Sequence, residues 1–323
     1  MINRQPDERI LNALHCEIFG ASEENWPAFL LIDPSLRDPL GENSDFASCW
    51  NDVPRQLVQV QGWPDEKRPY LLPLAGCSPQ DQAVALRFAY EETLGTYDDE
   101  RGQRRSFCAW LFPYDLNIKR LGNRLAQRAV AFPPNHSTSV VFRYWDPRLS
   151  ADIPRVLGQE TWQAHLGLLG LRRWISLLPR NNDVAIANLP ETRSETTGAA
   201  ETLAWRLDVK QWRDLEILSM RNRLIQCSAA WDLKTQHGSD DLEAVARRAF
   251  EHGLSEEYDI LRFAYCALNI HPEFDSHPEV AEAISSVGKT GFAEMVSDWP
   301  EDFIAELASG RWLDHTTAEI HTS

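Results

Sequence analysis

Several groups of residues have types and spacings that could do chemistry. Ala283-Ile284-Ser285-Ser286-Val287-Gly288-Lys289-Thr290 nearly matches a phosphate-binding loop, with alanine in place of the first glycine. Such a loop needs a strand before it and a helix after it, so that backbone N–H groups and the helix dipole converge on phosphate. The preceding Pro278-Glu279-Val280-Ala281-Glu282 is helical in pattern and acidic, which predicts a helix ending at Gly288 instead. His271 and His277 are six residues apart, each followed by proline, so no regular helix face aligns them and a loop is expected there rather than a metal site. His15 and Cys16 are neighbours, and neighbouring side chains on a helix diverge. The paired carboxylates Glu91-Glu92, Asp98-Asp99 and Glu256-Glu257 read as solvated turns or helix surface. No G-x-S-x-G elbow and no H-E-x-x-H occurs.

The strongest local signal is Ser139-Val140-Val141-Phe142-Arg143-Tyr144-Trp145-Asp146-Pro147-Arg148-Leu149. It reads as a strand running into a helix that Asp146 caps and Pro147 begins. Arg143 and Arg148 flank Asp146 closely enough to hold its carboxylate through charge-assisted hydrogen bonds. A strand's C-terminal end is where α/β sheets often place acid catalysts or anion sites. The cap gives Asp146 a complete structural role, so a tied corner is the expectation.

The elements that would position these groups follow from periodicity. Residues 7–19 form an amphipathic pattern with Ile10, Leu11, Leu14 and Ile18 on one face. Strand-like runs cover 28–33, 56–60, 69–74, 106–112, 139–145 and 173–178, with helical patterns between several of them. Ser78 and Pro79 start one such helix, and residues 114–130 place Ile118, Leu121 and Leu125 on one stripe. The alternation predicts an α/β N-terminal domain over 1–188 with a mixed, largely buried sheet. Residues 189–207 read as a linker, in which 203–207 could pair with 184–187 as a hairpin. An all-α C-terminal domain is expected over 208–323.

The chain has 323 residues, 43% hydrophobic and 25% charged, the profile of a globular protein with room for two domains. No apolar run is long enough to span a membrane, and the first residues lack a signal-peptide core, which predicts a cytoplasmic protein. Six cysteines without a C-x-x-C pair fit a reducing compartment. The net charge is −16, and residues 231–323 hold 19 Asp and Glu against 6 Lys and Arg. That acidic C-terminal part argues against nucleic-acid partners.

Four segments resemble a known family. They are Phe29-Leu30-Leu31-Ile32-Asp33; Pro69-Tyr70-Leu71-Leu72-Pro73-Leu74; Cys108-Ala109-Trp110-Leu111-Phe112 with Lys119-Arg120-Leu121; and Phe142 to Arg148, with its Asp146-Pro147-Arg148. In this order they resemble the type VI secretion effector-chaperone family, the Tap or TEC adaptors built on the domain of unknown function 4123. The resemblance covers residues 29–179; Leu111 stands where the family often has glycine. It implies a chaperone and adaptor that binds one cognate effector and loads it onto the VgrG spike. It implies no enzyme activity, no cofactor and no metal, and structural roles for Asp33, Pro69, Tyr70, Pro73, Trp110, Arg143, Asp146, Pro147 and Arg148. An enzyme (a hydrolase or nucleotide-binding protein) and an immunity protein are the competing classes. In the acidic domain, Trp299 and Trp312 are expected to contact the partner, with Glu256, Glu257 and Asp259 steering a basic one.

Overall fold

A computed structural model describes residues 8–20, 27–41, 44–94, 105–134, 137–150, 152–180, 183–188, 204–228, 231, 238–286 and 291–313. The chain divides into two compact units, 1–215 and 216–323.

The first unit is built around β1 (Phe29–Ile32), whose four residues are all buried. Successive side chains on a strand point to opposite faces. Phe29 and Leu31 therefore enter one core cluster, and Leu30 and Ile32 the other. Strands β3 (Tyr70–Pro73) and β4 (Phe107–Pro113) flank β1, pairing Leu31 with Leu71 and Leu30 with Trp110. Strands β2 (Gln56–Leu57), β7 (Leu171–Arg180) and β8 (Asp183–Asn188) complete a six-stranded sheet in the order β2-β3-β1-β4-β7-β8.

Helices cover both faces. On one side lie α1 (Glu8–Phe19), α2 (Asp45–Trp50) and α3 (Pro79–Leu94), burying Leu14, Phe46 and Ala89. On the other lie α4 (Ile118–Arg128), α5 (Ile153–Leu157) and α6 (Gln159–Leu169). A small sheet of β5 (Val130–Phe132), β6 (Val140–Val141) and β9 (Trp205–Arg206) adds to that second side. The N-terminal part is thus α/β with a largely buried sheet. Its strand directions are unevenly divided: every pairing in the large sheet is antiparallel, and β5 with β9 is the parallel pair.

Local signals behave as their chemistry requires. Ser78 Oγ accepts from the Asp81 N–H, and the Asp81 carboxylate accepts from the Ser78 N–H, a reciprocal cap at the start of α3. Asn117 caps α4 through the Arg120 N–H.

Three expectations change. Among the described residues, the expected hairpin of 184–187 with 203–207 does not form. β8 pairs with β7, and β9 joins β5, because the Trp205 indole buries against Arg128 and donates to its carbonyl at 2.8 Å. The strand over 139–145 stops at Val141. The backbone then turns, with the Tyr144 N–H on the Phe142 carbonyl, and so sends Phe142, Tyr144 and Trp145 into one core. The first unit extends past 208, since Trp205, Leu207 and Leu215 bury in that same core; the division falls inside α7 (Val209–Ser228). Most of the expected linker, residues 189–203, lies outside the described residues.

The second unit is helical: the end of α7, then α8 (Ser239–Glu251), α9 (Glu257–Asn269), α10 (Pro278–Ser286), α11 (Phe292–Ser297) and α12 (Glu301–Ser309). Helix α9 is central, burying Ile260, Phe263, Ala264, Cys266 and Ala267. No described helix is long and apolar enough to cross a membrane.

Gly170 turns α6 directly into β7 in the left-handed conformation, at φ 74°. Gly170→Ala should lower the urea-unfolding free energy by about 1–2 kcal/mol, the cost of placing a Cβ in that region. An unchanged midpoint would show that the turn relaxes.

Candidate functional site

Asp33 leaves β1 at its C-terminal end, where its N–H donates to the Ser106 carbonyl at 2.9 Å. Its carboxylate is wholly buried. Oδ1 accepts the Ser35 N–H at 2.9 Å. Oδ2 accepts from Arg143 Nε and Nη2 at 3.2 and 2.8 Å, and from the Trp145 indole at 2.8 Å. Asp146 lies alongside. Arg148 grips it with Nε and Nη2 at 2.9 and 2.7 Å, and the Arg148 backbone N–H adds a third bond. Arg143 Nη2 stands 3.5 Å from the same carboxylate. One guanidinium thus bridges two carboxylates, with the Trp63 ring against it.

Asp146 is not the helix cap expected from the sequence. Its carbonyl accepts from Leu149 and Ser150, and its side chain closes a turn over Pro147. Helix α5 starts only at Ile153, so Asp146 closes a separate turn ahead of it. Burial opposes ionisation of Asp146, but the Arg148 hydrogen bonds and the Arg143 and Arg148 charges outweigh it, holding its pKa below the usual carboxylate value.

A second buried set adjoins along β4. Glu92 accepts from the Ser106 and Phe107 N–H groups and the Ser106 hydroxyl, with Arg37 at 4.0 Å. Burial nevertheless raises its pKa. Arg105 donates to the Thr93 hydroxyl and the Leu177 carbonyl, and burial lowers its pKa to about 10.

A general acid or base needs a lone pair or proton that a substrate can reach. The oxygens of Asp33 and Asp146 face protein donors, and both side chains are buried. His165 lies in the aromatic core among Tyr144, Trp162 and Trp205, taking the Arg128 Nε–H on Nδ1 at 3.0 Å. Burial and the Arg128 charge keep it neutral, its pKa well below the ordinary value. The arrangement at Asp33 ties strands to a turn.

The other predicted residues are placed as follows. Tyr70 is buried and donates to Asp38 at 2.7 Å; the Pro69 carbonyl accepts from Val58. Pro73 ends β3, and Trp110 fills the core under β1. In the helical unit, Asp259 is buried and accepts the Ala293 N–H at 2.9 Å, capping α11, so it is a tether between helices rather than a steering charge. Trp312 is 7% exposed, wedged between His271 and His277, which removes it from the contact surface. Trp299 is half-buried against Phe274, Phe292 and Phe303. Glu256 and Glu257 are exposed, Glu257 paired with Arg223 at 2.6 Å. The residues before the phosphate-loop-like segment form α10, not a strand; Lys289 lies outside the described residues.

A feature absent from the sequence reading lies at the opposite end of β1. Two adjoining cavities, of about 470 and 420 Å³, share Ala28, Ala75 and Leu116. Leu116 projects beside them, 73% exposed, on the loop between β4 and α4. That loop had been expected within a helix over 114–130. Asp115 accepts the Asn117 N–H instead and delays the helix to Ile118, leaving Leu116 on the loop ahead of it. Cys77 lines the groove, its thiol pushed up to about 11 by burial and by Asp81.

Searches against protein-family models, curated proteins and solved structures find no match to this chain.

Asp146→Asn should cost about 2 kcal/mol at pH 7, by removing the carboxylate charge that Arg148 grips and one of the two carboxylates that Arg143 bridges. Because the folded pKa is depressed, this stabilisation is complete above the ordinary carboxylate value and fades as pH falls through the folded one. The gap between wild type and variant in urea should therefore close below pH 4. A gap independent of pH would place the contribution elsewhere.

Proposed function

We propose that the chain is an effector chaperone and adaptor of a bacterial type VI secretion system, binding one toxic effector in the cytoplasm and loading it onto the VgrG spike. One observation supports this most. The four segments that carry the family resemblance are far apart in sequence, yet all meet at one strand. β1 pairs with the Tyr70–Pro73 and Trp110 segments, and Asp33 at its end binds Arg143 and Trp145. An accidental likeness of four short strings has no reason to converge in space. The polar groups of Asp33, Arg143, Trp145, Asp146 and Arg148 are consumed in holding one another, which suits a scaffold better than a catalyst. A scaffold acts through surface, and the apolar groove beside Leu116 is surface of the kind that takes up an apolar segment of another protein.

Co-expression tests the reading. Tagged full-length chain, made together with the proteins encoded beside its gene, should co-purify with one large effector and with the spike protein. The effector's soluble yield should fall when the chain is omitted. A folded chain that captures neither from a lysate containing both contradicts the proposal.

A further inference from the structure

We infer that the groove at the start of β1 is the effector site, and that its occupant is an apolar segment bearing Asp or Glu residues. This rests on the adaptor reading and names the partner's chemistry. The floor is the ends of three strands: Phe29 of β1, Pro73 of β3 and Phe112 of β4. Their backbone is already engaged, since Ala28 donates to Leu111 and accepts from Leu74. An incoming chain therefore cannot add a strand here and must bind through side chains.

Leu116 supplies the apolar anchor. It is held out rigidly: the Tyr114 N–H bonds the Gly170 carbonyl at 3.0 Å, and Asp115 closes the turn beneath it. Tyr114 is itself 39% exposed on the same loop.

Charge selects the partner. The chain carries −16 overall, yet Arg55, Lys119 and Arg172 line the two cavities, and among the described residues no lining residue is acidic. The nearby carboxylates Asp38 and Asp115 are each paired with an arginine. Asp38 pairs with Arg55 at 3.6 Å, leaving that guanidinium at the groove wall, and Asp115 pairs with Arg120 at 3.0 Å. A basic rim around an apolar floor, on an otherwise acidic protein, fits an apolar segment flanked by carboxylates. It rejects a basic one through the same charges. Steering toward a basic partner, expected from the acidic helical domain, would not apply at this surface.

The test uses the full-length effector captured by co-expression. Leu116→Asp and Lys119→Glu alter exposed positions and should leave the melting temperature unchanged. Each should weaken effector binding about tenfold or more, while Lys119→Arg binds as wild type. With benzoylphenylalanine at position 116, irradiation of the complex should cross-link an effector segment that is apolar and net negative. Wild-type affinity in both Leu116→Asp and Lys119→Glu overturns the inference while leaving the adaptor reading intact, as does a cross-link to a basic segment or to the spike protein. If the wild-type chain captures no effector at all, the adaptor reading fails and the inference with it.

Discussion

The first unit depends on one buried carboxylate. Asp33 ends the central strand, and the protein has closed it off from water by setting Arg143 and the Trp145 indole against it. An isolated carboxylate in such a place would be expelled or protonated. With the Arg143 guanidinium bound, it becomes a fixed point that the 142–148 turn must reach. A buried pair of this sort adds little net stability compared with an apolar filling. What it supplies is selection: a shifted turn would leave Asp33 and Arg143 without each other. Arg143 then leans on Asp146, which Arg148 holds, so the constraint passes along the turn into the approach to α5.

From that point the packing follows. The turn that brings Arg143 to Asp33 also swings Tyr144 and Trp145 into the core against Trp162, Trp174 and His165. That cluster needs a helix at α6 and closes over Trp205, which draws β9 into the small sheet. The other face of the sheet is plainer, a layer of α1, α2 and α3 over Leu30, Leu72 and Trp110. With the lock at the C-terminal end of β1, the N-terminal end can be left open. The groove beside Leu116 lies there, on strand ends whose positions are already fixed.

Much of this was legible in the sequence, for identifiable reasons. Short apolar runs stopped by proline, such as Phe29-Leu30-Leu31-Ile32 before Pro34, read as doubly buried strands, and Ser78-Pro79 with Asp81 is a local cap that needs no distant partner. The α/β part and the helical part were legible for the same reason. Arg143 does pair with Asp146, as its place in the sequence suggests, but its closer partner was not legible, because nothing local points 110 residues back to Asp33. The same limit hid Trp205, whose parallel partner lies more than 70 residues away. Trp312 and Asp259 looked like surface groups because nothing in their own segments shows what covers them; burial came from residues distant in sequence, His271 and His277 against Trp312 and Ala293 against Asp259. The groove was invisible because three strand ends converge on it, and the one local clue, Leu116 out of step with its stripe, is a single residue.

The central claim is that this chain delivers a protein rather than transforming a substrate. Secretion by the intact organism tests that most directly. With the gene deleted, one effector should vanish from the secreted proteins while other effectors of the same machine are still released, and the wild-type gene should restore it. Unaltered secretion of every effector, or loss of all of them together, would contradict the account.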